Sequence, residues 1–224
     1  MSIPDVVVVS GEGRLADPWH DFPGTSGRIA QILTEHGLRA EIRGTSSTPV
    51  TAQLYVVNAG GGADAIAAAP GDPSEVWRGW VLDHALAGGP VLAVHAATNT
   101  FFEDEAWAGV IGGRWVPGTS MHPPGGPATV QVSDTGHPIT DGLPRELDIV
   151  DERYSYLDVN DAITPLLTQV HDDVVHPIVW AFTGPVEGSG VDVRAVVDTL
   201  GHDVAAYGDV RAELLRREVD WLLA

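Results

Sequence analysis

Val91-Leu92-Ala93-Val94-His95-Ala96-Ala97-Thr98 is the stretch on which the fold turns. Four apolar residues without alternation read as a strand buried on both faces, as in a parallel sheet covered by helices on either side. The run breaks at once into His95, with Thr98 and Asn99 close behind, so polar groups stand at the carboxyl end of the strand. Ligands of open parallel sheets bind at that end. Upstream, Gly88-Gly89-Pro90 closes a helix that opens at Asp72-Pro73-Ser74-Glu75, an N-cap followed by proline and an acid in the first turn. Val76, Trp77, Trp80, Val81 and Ala85 form its apolar stripe.

Further towards the N-terminus the same alternation repeats. Leu54–Val57 reads as a strand ending in Asn58-Ala59 and the glycines Gly60, Gly61 and Gly62, and Val6–Val9 as another. Between them, Thr25 or Ser26 caps a helix carrying Ile29, Ile32 and Leu33 that stops at His36-Gly37, and Leu38–Ile42 is a strand. Strands separated by helices predict a mostly parallel sheet with helices on both faces. The second half differs: Thr129–Val132, Leu147–Val150, Leu166–Val170, Ile178–Phe182 and Val193–Val197 are strand-like with little helix between them, which predicts an antiparallel extension. A helix from about Val210 to Leu223 follows, burying Leu214, Leu215, Val219 and Leu222. No linker separates the halves, so residues 1–224 read as one α/β domain, a three-layer sandwich.

The composition narrows the function. Twelve Lys and Arg stand against 31 Asp and Glu, a net charge of −19, a field that repels nucleic acid and anionic membrane but not a neutral sugar or a cation. There is no cysteine, which excludes disulfides, thiolate metal sites and thiol nucleophiles. Met1-Ser2-Ile3-Pro4-Asp5 carries no basic n-region, and no apolar run spans a bilayer, so the cytoplasm is the expected compartment. Three loops follow strands at the same sheet edge: Ser10–Gly24, Asn58–Asp64 and His95–Thr100. Gly11-Glu12-Gly13-Arg14-Leu15-Ala16 matches a dinucleotide fingerprint, but Pro18 and Pro23 sit where its helix should run. Gly60-Gly61-Gly62 lacks the Lys of a P-loop, and Ala93–Ala97 lacks the serine of a hydrolase elbow.

Several stretches, in order, carry a family resemblance. Val91–Thr98 resembles the segment of ThuA-like (trehalose-utilisation) proteins in which a strand runs into His-Ala-Ala/Ser-Thr. As in that family, Phe101, Phe102 and Trp107 and then Ile111-Gly112-Gly113 follow. His137-Pro138-Ile139-Thr140-Asp141-Gly142-Leu143-Pro144, Asp151-Glu152-Arg153-Tyr154, Pro177-Ile178-Val179-Trp180 and Leu200-Gly201-His202-Asp203 are similar to its later motifs. The resemblance implies a flavodoxin-like sheet of the class I glutamine amidotransferase type and a link to trehalose, keto-sugar or polyol catabolism. It places His95 at the elbow of the amidotransferase cysteine, where an imidazole cannot form the glutamyl thioester.

The fold and the resemblance together place His20, His95, His122, His202, Glu152 and Tyr154 near one edge. His95, Glu152 and His202 are the expected catalytic groups, with Glu152 tuned by burial. His20, Thr98, Asn99, Tyr154 and Trp180 are expected to contact the substrate, and Trp19 and Trp115 to stack on a sugar ring. Three histidines and a carboxylate also suit Zn or another divalent ion, although no pair has metal-motif spacing. Asp151 is expected to orient Glu152 or cap a loop, with Arg153 as ion-pair partner; His36, His84, His137, His171 and His176 read as structural or solvated. The expected ligand is a small sugar, met by acid–base chemistry, by a non-catalytic cleft or by a divalent-metal hydrolase. A homodimer is the assembly to test.

Overall fold

The computed structural model describes residues 3–61, 67–101, 104–186 and 189–224. Strands β1 (Val6–Ser10), β2 (Ala40–Gly44), β3 (Leu54–Asn58) and β4 (Val91–Val94) run parallel, interleaved with helices α1 (Phe22–Glu35) and α2 (Ser74–Leu86). After α3 (Glu105–Ile111) come β5 (Gly113–Arg114), β6 (Gly126–Val132), β7 (Glu146–Asp151), β8 (Asp158–Val159), β9 (Thr164–His171), β10 (Val174–Phe182), β11 (Ala195–Asp198) and α4 (Asp209–Leu223). β5 and β8 form a small ribbon, and the other nine strands form one sheet in the order β2-β1-β3-β4-β11-β10-β9-β6-β7.

The unalternating valine runs have a direct explanation. Val6, Val8, Leu92, Val94 and Val196 face one core beside Ile29, Ile32 and Leu33 of α1 and Leu214, Leu215, Val219 and Leu222 of α4. Val7, Val9, Val91, Ala93 and Val197 face the other, beside Trp77 and Val81 of α2 and Trp107 and Val110 of α3. Each fully buried valine or leucine contributes roughly 1.5–3 kcal/mol, so a polar residue on either face would be costly.

Three elements differ from expectation. β11 belongs to the parallel half: it lies parallel to β4 and antiparallel to β10. The segment after β10 turns the chain back, and a strand antiparallel to β10 is by direction parallel to β4. α1 starts at Phe22 rather than near Thr25, because Asp21 caps it by accepting from the Gly24 N–H at 3.0 Å and Pro23 sits in the first turn, where it costs no hydrogen bond. Thr25 and Ser26 are then buried in the helix, and both bond Asn58 Nδ2 at 2.9 Å. On α2, Val76 and Trp80 face outward, and the buried stripe is Trp77, Val81, Leu82 and Ala85.

Candidate functional site

β4 delivers His95 at its carboxyl end with φ 48°, a left-handed backbone that aims the ring over the sheet edge. Its Nδ1 lies 2.6 Å from the Thr199 carbonyl, just past the end of the neighbouring strand β11. The loop after β1 brings His20, whose Nδ1 lies 2.7 Å from both Asp17 carboxylate oxygens. From β11 through β10, β9 and β6 to β7 every pairing is antiparallel, so β7 points the same way as β4 and Glu152 arrives at the same edge. The buried Asp151 ties this side together: its carboxylate accepts from the N–H groups of Glu152 (2.8 Å), Gly201 (2.6 Å) and His202 (3.2 Å).

The ring nitrogens then converge. A carbonyl oxygen only accepts, so His95 carries its proton on Nδ1 and presents an Nε2 lone pair; an ionised Asp17 imposes the same tautomer on His20. These two Nε2 atoms lie 3.0 Å apart. Glu152 Oε2, a third acceptor, lies 3.4 Å from His95 Nε2 and 3.3 Å from His202 Nδ1. His202 Nδ1 is buried and makes no hydrogen bond of good geometry. One ligand atom from each of His20, His95, Glu152 and His202 lies within 4.8 Å of the others. The lone pairs of His20, His95 and Glu152 facing one another repel unless a cation sits among them, and His202 Nδ1 adds a fourth ligand atom, so the donor set fits a divalent ion. The carboxylate on the far side of His20 and the carbonyl behind His95 are the outer partners that metal-binding imidazoles take.

Titration follows this crowding. Burial pushes the His20 ring down, against its Asp17 hydrogen bond. Burial pushes Glu152 up, but His202 and His95 beside it, where protonated, outweigh that and hold the carboxyl far below the usual range. The Glu152 carboxylate in turn raises His202. Burial raises Asp151 despite its three backbone donors, and raises Tyr154 strongly, with the Glu152 and Asp17 charges adding to it.

Over this cluster opens a cleft of about 470 Å³, lined by Trp19, His20, Ala96, Thr98, Asn99, Trp115, His122, Glu152, Tyr154 and His202. A hollow of about 590 Å³ between β6, β7 and the start of α4 is larger, but it has no histidine and no convergent donors. The trehalose-utilisation family model, ThuA, matches residues 56–222. The chain belongs to the ThuA family. Among solved structures, a ThuA-like protein from Parabacteroides merdae superposes with TM-score 0.73 at 18% identity, covering 100% of this chain and 91% of that one. One from Bacteroides uniformis gives 0.70 at 16%, covering 99% and 93%. A glutamine amidotransferase from Thermotoga maritima gives 0.53 at 13%, covering 98% of each, so the ThuA fold here is of the amidotransferase type. No curated protein matches the sequence.

Of the residues singled out in the ThuA-like motifs, His95, Glu152, His202 and Tyr154 come together, joined by His20, Thr98 and Asn99. Trp180 does not: it is fully buried on β10, its indole N–H donates to the Ile111 carbonyl at 2.9 Å, and it fills the α2–α3 side of the core. Its strand position turns it away from the edge. Burial does act on Glu152, but the imidazoles around it act more strongly in the opposite direction. Arg153 pairs with neither Asp151 nor Glu152 among the described residues; backbone N–H groups take that place. Glu12 and Arg14 anchor the first loop instead of facing the cleft, through Ser46 N–H and through Glu75. Gly60 approaches backbone rather than ligand, since a Cβ there would meet the Ala96 carbonyl oxygen at 2.5 Å. Gly62 to Asp64, Phe102 and Gly188 lie outside the described residues. Asp17 and Thr199 escaped sequence reasoning; the Asp17-x-x-His20 spacing was a signal for the first, whereas a backbone carbonyl leaves none.

Proposed function

We propose that this ThuA family member is a divalent-metal-dependent enzyme acting on a small neutral polyhydroxylated substrate of sugar type. The observation that carries the proposal is the meeting of His20 Nε2 and His95 Nε2 at 3.0 Å with both Nδ1 atoms tied to acceptors. His20, His95, Glu152 and His202 would hold the ion, which when bound supplies Lewis acidity towards a substrate oxygen. Asp17 and the Thr199 carbonyl keep both lone pairs aimed inward. His122, outside that set, has Nδ1 3.1 Å from the Pro123 carbonyl, leaving Nε2 to accept a proton from a hydroxyl in the cleft. Thr98 and Asn99 offer hydrogen bonds, and Trp19 and Trp115 offer flat walls for the C–H face of a ring. The described lining has no Lys or Arg, which favours a neutral ligand over a phosphorylated one.

A second reading rests on the opposite shifts of Glu152 and His202, which together make an ion pair able to hold and release a proton without metal. One experiment separates them. The protein, stripped by chelator and reloaded with Zn, Mn, Co or Ni, is screened by thermal shift against neutral sugars, polyols and keto-sugars, and hits are followed for turnover by NMR. Ligand shifts and turnover that need the ion support the proposal. Turnover unchanged by chelation supports the ion-pair reading, and saturable binding without turnover contradicts both.

A further inference from the structure

Among the described residues, the Tyr154 hydroxyl makes one hydrogen bond, to His95 Nε2 at 3.1 Å. Its direction follows from the far side of the imidazole. His95 Nδ1 lies 2.6 Å from the Thr199 carbonyl, so the ring proton is there and Nε2 of the neutral ring is an acceptor. The phenol therefore donates. That lone pair is the one a cation held by His20, His95, Glu152 and His202 would take, and one lone pair cannot serve both.

The ring itself is held in place. Tyr154 is only 4% exposed and packs at centroid distances of 4.7 Å from His95, 4.9 Å from Trp115 and 5.8 Å from His122, stacked on the last. Only the O–H bond can turn. Tyr154 also lines the cleft, so a bound molecule would lie beside its ring. A buried hydroxyl without an acceptor is unfavourable, and an oxygen in the cleft would relieve it. We infer that ion binding, on the reading proposed above, frees the Tyr154 O–H and makes it a catalytic donor to an acceptor oxygen of the bound molecule. A carbonyl or a developing oxyanion is the group such a donor favours, and the donor is withheld until the ion is in place.

The test uses the full chain with ¹³Cζ-labelled tyrosine. There are 4 tyrosines, and Tyr154→Phe assigns the relevant resonance. Zn is titrated in, and acetohydroxamate then serves as the oxygen-bearing probe. The expected result is a Tyr154 shift saturating with the first equivalent of Zn and a second shift with the probe. Zn affinity of Tyr154→Phe should be unchanged or tighter, because a competing hydrogen bond is gone, while probe affinity for the loaded variant falls about tenfold. An unmoved resonance with Zn bound overturns this inference alone, as does equal probe affinity or a Zn affinity falling more than about tenfold, which would make Tyr154 a support for His95. No Zn uptake by the wild type overturns the metal reading and this inference with it.

Discussion

Asp17 shows how much of a site can rest on a residue that never faces the cleft. Its carboxylate takes the His20 Nδ1–H and also the N–H groups of Trp19 (2.9 Å) and His20 (3.1 Å), so it sets both the tautomer and the loop. Asp17→Asn leaves the volume but loses the charged acceptor, and it should weaken Zn binding about 10–100-fold in a chelator-competition titration. His202 and Glu152 give a second prediction at this scale. His202 is raised from its ordinary 6.5, so its contribution in chelated protein is complete below that pH and is lost as pH rises through the raised value. The advantage of wild type over His202→Ala in urea melts should therefore be largest near pH 6 and shrink towards pH 9, from a maximum of about 0.2–1 kcal/mol given the partial exposure. His20 is present in both proteins, but the His202 charge helps to lower it, so part of that shift is lost in His202→Ala and trims the advantage at acid pH. An advantage that grew with pH would contradict the assignment. At this scale the sequence was partly legible: side-chain types in motifs pointed to His95, Glu152 and His202, whereas the tautomers depend on Asp17 and a backbone carbonyl that only folding brings near.

Among the elements, the segment leaving β11 does the most to assemble the site. Asp198 ends the strand, its Oδ1 accepts the Leu200 N–H at 2.8 Å, and Thr199, Gly201 and His202 follow in place. Gly201 has φ 110°, and a Cβ there would meet Tyr207 Oη at 2.5 Å, so only glycine fits this turn. Beneath it, Arg211 of α4 lies 3.0 Å from Asp198 and 3.6 Å from Glu218, all three groups buried. Burial and the neighbouring Asp198 charge push Glu218 well up, against Arg211. Arg211→Met should cost roughly 3–5 kcal/mol in urea unfolding, because it strands a carboxylate charge in the core; a loss under about 1 kcal/mol would show that the pair is not needed. The apolar face of α4 was readable from its period, but its buried Arg211 and Glu218 were not, since charged residues on a helix read as its solvent side.

Across the whole molecule, the parallel half was legible because valine runs buried on both faces have no other economical explanation, and Val91–Thr98 announced the functional edge. The antiparallel half was legible as strands, but not the return of β11 beside β4, because pairing between segments distant in the chain leaves little local trace. That return matters most, since it sets the Thr199 carbonyl against His95 and draws β7, with Glu152, to the same edge. The chain has no cysteine, and this edge of the fold presents three imidazoles and a carboxylate. The claim that this group is a divalent-metal centre is tested most directly by metal analysis of chelator-stripped protein reloaded with Zn and freed of excess. One equivalent per chain is predicted for the wild type and less than about a tenth of that for His95→Ala at unchanged fold by circular dichroism. No retained ion in the wild type, or equal retention in His95→Ala, would contradict it.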